Sequence, residues 1–233
     1  MTTSGTNTRD RLALALDVDD LETAARLVND VQPWFGVAKV GLELFAAAGP
    51  DAITRLRESG VSVFADLKLH DIPTTVGRAA RVLGRLGAGY VNFHAAGGVA
   101  MLRAGIDGLA EGARDAGHDA PIGLGVTVLT SDRDTSAFAS RLDAAIAAGC
   151  DGVVCSWLEI GTVRAARAGF VTMVPGVRLA DGARHDQARV GTPEQVAAAG
   201  ASVLVIGRAV TAAGDPRRVA AEIHAAVERV STG

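Results

Sequence analysis

Aromatic residues are scarce in this chain of 233, at 4%, so its core has to be aliphatic. Cysteine is scarcer. Cys150 and Cys155 are too few and wrongly spaced for a disulfide framework or a zinc knuckle. Both flank one strand-like run, which reads as a place for buried, inert thiols. No excess of positive charge exists: the formal net charge is −3, and no basic stripe with interleaved aromatics runs along the chain. Nucleic-acid binding by bulk electrostatics is thereby excluded. The opening residues, MTTSGTNTRD, contain no apolar signal core, and the longest apolar runs fall far short of a membrane span. A soluble, cytoplasmic protein with no membrane partner is the expectation. Lysine is the last shortage: of 23 basic residues only Lys39 and Lys68 are lysine, and the remaining 21 are arginine. Guanidinium stays protonated in proteins, whereas an ammonium group can give up a proton, so two lysines kept in an arginine-rich chain suggest proton chemistry.

What is present is aliphatic and periodic. Short apolar runs alternate with helix-period segments eight times over: Leu12–Val18, Val37–Leu42, Val61–Leu67, Tyr90–His94, Ile122–Leu129, Gly152–Cys155, Val171–Val174 and Val203–Ile206. Between them lie amphipathic stretches such as Leu21–Val31, Thr75–Leu86, Met101–Ala116, Phe138–Ala148 and Pro193–Ala199. Gly36, Gly60, Gly87, Gly149, Gly169 and Gly200 mark the returns to strand, where a left-handed helix cap suits glycine. Continuously apolar strands imply a sheet buried on both faces, hence a parallel one. Eight such units predict an α/β fold, a closed (β/α)8 TIM barrel in a single domain. An open doubly wound sheet is disfavoured, because the first turn is Asp17-Val-Asp19-Asp20 rather than a glycine-rich dinucleotide fingerprint. Residues 1–10 are expected to form a flexible tail and residues 11–233 the catalytic barrel.

In such a barrel the loops after the strands build the active site. Reading those ends alone collects Asp17, Lys39, Asp66 with Lys68, His94, Thr127 with Thr130, Ser156, Arg178 and Arg208. Residues 66 and 68 share a face because side chains alternate along a strand. With Lys39 and Asp71 they form an alternating set of two acids and two bases. A metal site would want more carboxylates or histidines and fewer ammonium groups, so no metal is expected. On the other side, Pro175-Gly-Val-Arg178 and Gly207-Arg208 follow the last two strands, the usual place for a phosphate pocket. The polar stretch between Arg178 and Pro193 is long for a βα loop and reads as a lid, from which Gln187 could reach a phosphate. His94 either lines the pocket or satisfies a backbone group.

Taken together, these residues closely resemble the orotidine 5′-monophosphate decarboxylase family. The likeness covers Leu14-Ala-Leu-Asp17, Lys39-Val-Gly, Phe64-Ala-Asp66-Leu-Lys68-Leu-His-Asp71-Ile72-Pro, His94-Ala-Ala-Gly-Gly, Gly125-Val-Thr-Val-Leu-Thr130-Ser, Pro175-Gly-Val-Arg178, Asp186-Gln187 and Val205-Ile-Gly-Arg208. The resemblance implies decarboxylation of orotidine 5′-monophosphate to uridine 5′-monophosphate in pyrimidine biosynthesis, without metal or cofactor. It implies that Lys68 protonates C6 of the pyrimidine, that Asp66 lies against the substrate carboxylate, and that Lys39 pairs with the array and the ribose. Asp17 would bind a ribose hydroxyl and Thr130 the pyrimidine edge. Arg178, Gln187 and Arg208, with Pro175 and Gly207, would hold the phosphate. Asp71, Ile72 and Thr75 would come from the neighbouring subunit of a homodimer. Sister barrels of the magnesium-dependent sugar-phosphate type, as the resemblance implies, carry Glu where this chain has Lys39. Two positions depart from the family pattern: Thr74, where Asn is frequent, and His185, where Gly is common.

Overall fold

The computed structural model of the chain describes residues 7–179 and 190–231. Eight parallel strands close on themselves in chain order: β1 (Leu12–Leu16), β2 (Val37–Val40), β3 (Ser62–Leu69), β4 (Tyr90–His94), β5 (Ile122–Val126), β6 (Gly152–Val154), β7 (Val171–Val174) and β8 (Val203–Ile206). The helices are α1 (Leu21–Val31), α2 (Leu42–Ala48), α3 (Asp51–Glu58), α4 (Pro73–Arg85), α5 (Gly98–Asp115), α6 (Phe138–Ala148), α7 (Ile160–Ala166), α8 (Pro193–Ala198), α9 (Arg208–Thr211) and α10 (Pro216–Ser231). This is the (β/α)8 barrel that the alternating pattern predicts.

The strands are apolar on both faces because each face has its own core. Ala13, Ala15, Val37, Phe64, Leu124, Val126, Val154, Met173, Val203 and Val205 fill the barrel interior. Their alternate neighbours, among them Leu12, Leu14, Leu16, Ala38, Val40, Val63 and Ala65, face outward and pack with the helices. The interior is therefore a plugged column rather than a channel, and polar residues find room only above the plug, at the strands' C-terminal ends.

Several strand ends differ from the sequence expectation, most of them by stopping early. β1 stops at Leu16 rather than Val18, β2 at Val40 rather than Leu42, and β5 at Val126 rather than Leu129. Apolar character continues past each end, but the ladder does not: Leu16 and Val40 are each other's last partners. Leu42 already opens α2 and is 63% exposed. β3 runs the other way, extending to Leu69, because its pairing with β4 is interrupted and resumes at Leu69 and Phe93.

The N-terminal boundary also shifts. Thr8–Arg11 forms a 3₁₀ turn capped by Asn7, and Thr8 is buried. Arg9 donates from Nε to the carbonyl of Gln32 at 2.7 Å, so the fold begins before residue 11. Gly36 lies against this turn. Five of the six expected glycine caps have positive φ, but Gly36 does not. It is required for another reason: a Cβ there would sit 2.6 Å from Asp10 Oδ1, and its N–H donates to Arg9 O at 2.7 Å.

Both cysteines are buried and unbridged, as expected. Burial pushes the Cys150 thiol up to about 12, which keeps it a neutral thiol and a poor nucleophile. No helix among the described residues is long and apolar enough to cross a membrane.

Candidate active site

Three adjacent strands deliver the charged array. Asp17 follows β1, Lys39 sits on the interior face of β2 in register with Ala15, and Asp66 and Lys68 lie near the end of β3. Lys39 Nζ is 3.1 Å from Asp17 Oδ1 and 3.3 Å from Asp66 Oδ2; Lys68 Nζ is 2.7 Å from Asp66 Oδ1. The four charges thus alternate along a continuous chain. The side chains of Lys39 and Asp66 are only 11% and 14% exposed, so the middle of the chain is shielded from water and held firmly. Lys68 and Asp17, at the two ends, are more open, with side-chain exposures of 33% and 60%. The ends are therefore the groups free to meet a bound molecule.

The expectation that residues 66 and 68 converge holds, but simple alternation is not how they do it. Asp66, Leu67 and Lys68 stand opposite the single residue Asn92, because the β3–β4 register slips between Ala65 and Leu69. Lys68 has φ 51°, the only positive value among the described non-glycine residues. Such a backbone costs on the order of 1–3 kcal/mol and persists only where its surroundings hold it. Asn92, with no exposed surface, does the holding: its Oδ1 accepts the Lys68 backbone N–H at 2.7 Å, and its Nδ2 donates to Asp66 Oδ1 at 2.7 Å. The sequence reading missed Asn92. The available signal was an amide at mid-strand, between Val91 and Phe93 and in the same alternation phase as Tyr90 and His94.

The array forms one wall of a cavity of about 410 Å³. The opposite wall is Pro175, Gly176, Val177, Arg178, Gly207 and Arg208, and the far rim carries Leu129, Thr130 and Ser131. Gly176 has φ 83°, a left-handed turn that lets the chain pass directly from β7 to Arg178. Gly207 packs against β1: a Cβ there would lie 3.3 Å from Ala15 Cβ and 3.8 Å from Asp17 Oδ2. The floor is Ala15, Phe64, Val126, Val154, Met173 and Val205, the top of the barrel plug. A flat apolar floor, a charged wall and an arginine–glycine wall suit a ring carrying an anionic arm.

Other expected residues lie elsewhere. Asp71, Ile72 and Thr75 are exposed and do not line the cavity of their own chain; Asp71 Oδ1 accepts the N–H of Ile72 at 2.6 Å. Ser156 is buried and caps the turn Trp157–Glu159, while Thr127 donates its hydroxyl to Val154 O at 3.0 Å. Gln187, with His185 and Asp186, lies outside the described residues, as does most of the stretch read as a lid. Its flanks are anchored: Arg178 N donates to Gly191 O at 3.0 Å, and Trp157 Nε1 to Val190 O at 3.1 Å. Among the described residues no three His, Cys, Asp or Glu side chains are grouped to hold a metal ion.

His94 takes the second of its two expected roles. It does not line the cavity; its Nδ1 accepts the Ala96 N–H at 3.4 Å and its ring stacks on His70, with centroids 5.3 Å apart. Burial, followed by the charges of Arg141, His70 and Lys68, pushes its pKa below 6.5. The folded protein therefore holds fewer protons on this group than the unfolded chain, and stability rises with pH through the interval below 6.5. His94→Asn keeps an acceptor for Ala96 and removes the titration. Melting temperatures of the variant are expected to fall less steeply than those of the wild type as pH drops through that interval; parallel curves would remove His94 from the acid response.

Geometry by itself defines a class, the (β/α)8 enzyme barrel with its chemistry gathered at the C-terminal mouth. Comparison with known proteins narrows it. The model of the Orotidine 5'-phosphate decarboxylase / HUMPS family matches residues 10–223, and the chain belongs to that family. It is 46% identical to the orotidine 5'-phosphate decarboxylase of Moorella thermoacetica, over 95% of this chain and 94% of the relative. It is 43% identical to that of Nitratidesulfovibrio vulgaris strain DP4, over 94% of this chain and 98% of the relative. The crystal structure of the orotidine 5'-phosphate decarboxylase from Lactobacillus acidophilus superposes with a TM-score of 0.80 at 35% identity, covering 94% of this chain and 99% of that one.

Proposed function

We propose that this chain is a carboxy-lyase that converts orotidine 5′-monophosphate into uridine 5′-monophosphate and carbon dioxide, a cytoplasmic step of pyrimidine biosynthesis. Family membership supports the reaction. The observation that carries it to particular residues is the unbroken chain Asp17–Lys39–Asp66–Lys68, facing Arg178 and Arg208 across one cavity.

Arg178 and Arg208, with the backbone of Pro175, Gly176 and Gly207, grip the 5′-phosphate; Gln187 joins them. Asp17 and Lys39 take the ribose hydroxyls, and Thr130 meets the pyrimidine edge. The ring then lies on the apolar floor with C6 toward Lys68 and its carboxylate toward Asp66. The bond from C6 to the carboxylate breaks heterolytically and carbon dioxide departs. The electron pair left on C6 takes a proton from the Lys68 ammonium, forming the C6–H bond of the product. Lys68, left as the neutral amine, regains a proton from solvent before the next turnover.

A carbanion at C6 is delocalised poorly by the ring, so the chain's own electrostatics must stabilise it. A cation already in place costs no reorganisation as charge develops. Asp66 and Lys39 hold Lys68 at the end of an alternating array, which provides that preorganisation. The phosphate grip, remote from C6, supplies binding energy that brings the ring down onto the array. Metal-free chemistry is supported by Lys39: its ammonium lies within 3.3 Å of both Asp17 and Asp66, the two carboxylates that would otherwise face a divalent cation. Asp71, Ile72 and Thr75 complete the site from a second copy of the chain in a homodimer. The exposed Ile72, and Leu42 at the start of α2, give that contact an apolar surface.

The test is the ultraviolet absorbance of orotidine 5′-monophosphate on addition of protein treated with EDTA. Loss of the substrate band, with uridine 5′-monophosphate as product, is expected. An unchanged spectrum from folded protein would exclude the reading; activity that appears only on adding magnesium would exclude its metal-free part.

A further inference from the structure

We infer that Asn92 is a positioning residue for the proton donor, an inference that rests on the role just given to Lys68. Burying a carboxamide is costly unless its polar atoms are hydrogen-bonded. A leucine, such as Leu124 beside it on β5, would fill similar space at no such cost. Asn92 instead divides its amide between Lys68 and the carboxylate that holds Lys68. Its oxygen takes the Lys68 backbone N–H, and its nitrogen donates to the same Asp66 oxygen that accepts from Lys68 Nζ. The partners also settle which end of the amide is which, since an N–H must meet oxygen and a carboxylate must meet NH₂.

The need for such a holder follows from the ladder. With three residues of β3 set against one of β4, Lys68 has no register partner on β4, and its N–H is taken by the Asn92 side chain. Its left-handed backbone is strained for a residue with a Cβ. Without the Asn92 oxygen, Lys68 relaxes toward the extended region and its ammonium leaves the direction that Asp66 and the cavity impose. Without the Asn92 nitrogen, the Asp66 carboxylate loses a donor on Oδ1 and is oriented by Lys68 and Lys39 alone. The charged groups facing position 92 are Asp66 and Lys68 from β3, with Lys39 from β2 and Asp17 beyond it. β5, on the other side, brings none.

Asn92→Ala removes both bonds and Asn92→Asp separates them. In Asn92→Ala, kcat for orotidine 5′-monophosphate is expected to fall by about 10²-fold, the loss typical of a displaced transition-state cation or donor. Affinity for uridine 5′-monophosphate, set by the opposite wall, should stay within about threefold. A crystal structure of this variant should show Lys68 out of the left-handed region. Asn92→Asp, nearly isosteric, keeps the acceptor and loses the donor. Its turnover should fall as pH rises through the ionisation of the introduced carboxyl, which would then face the Asp66 carboxylate, a limb absent from the wild type.

Near-normal kcat in Asn92→Ala would overturn the inference, as would a parallel fall in kcat and nucleotide affinity. If Asn92→Ala does not fold, Asn92→Asp decides through its pH profile, and a profile superposable on the wild type's counts against. An inactive wild type would sink the reaction assignment instead. The crystal structure still judges Asn92 in that case: Lys68 unmoved at φ near 51° and still bonded to Asp66 would end its role.

Discussion

Lys68→Ala is expected to lower turnover of orotidine 5′-monophosphate by about 10³-fold or more while leaving the affinity for uridine 5′-monophosphate nearly unchanged. The size of the effect follows from the position of the ammonium. Lys68 ends the charged chain and is the more exposed of its two lysines, at 33% against 11% for Lys39. Lys39 is held between Asp17 and Asp66 and cannot reach forward without giving up both. On the proposed mechanism, removing Lys68 deletes both the proton source and the fixed cation that meets charge developing at C6. The product is the right probe of binding. Without Lys68 the array has two carboxylates against one ammonium, and it repels a substrate carboxylate that the product lacks. Steady-state kinetics with calorimetric titration of the product separate the two effects. Residual turnover within about tenfold of wild type would take the proton-donor role away from Lys68.

Mixing two inactive variants, Lys68→Ala and Asp71→Ala, is expected to restore activity. Asp71 stands at the entrance to α4, exposed, with its carboxylate on the Ile72 N–H and outside the cavity of its own chain. If each site takes Lys68 from one copy and Asp71 from the other, a hybrid dimer holds one site with both defects and one with neither. Random exchange makes half the dimers hybrids, so about one quarter of wild-type activity should return. Differently tagged chains, purified as mixed dimers, check that exchange occurred. Mixed dimers as inactive as their parents would mean that Asp71 serves its own chain's site or none.

How far residues alone lead can be seen at particular places. The eight apolar runs carry their own parity: Ala13 and Ala15 face inward, Leu12, Leu14 and Leu16 outward, as strict alternation requires. Closure in chain order follows from eight such units with short returns. The polar strand ends were equally readable as a set, because only those positions escape the barrel plug. Which of them turn toward the cavity was not. Thr130, Arg178 and Arg208 do; His94, Thr127 and Ser156 do not. That choice depends on local hydrogen bonds, such as Ser156 capping the turn at Leu158, that a list of strand ends does not contain.

The amino-acid order by itself determined the parallel (β/α)8 architecture, the placing of Asp66 and Lys68 together at one strand end, and the arginine–glycine turns after the last strands. Each is a matter of local periodicity and residue chemistry, which neighbours do not change. That the second acid of the array is Asp17 and not Asp71 was decided by the fold. Tertiary structure decided where strands stop, since a strand ends where its ladder partner ends and not where its apolar residues do. It also decided how Lys68 is presented. Alternation along one strand says that residues 66 and 68 share a face, but the slip against β4, the positive φ and the amide of Asn92 arise between strands. Pairing between segments distant in sequence is set by the whole barrel, and the geometry of the array belongs to that level.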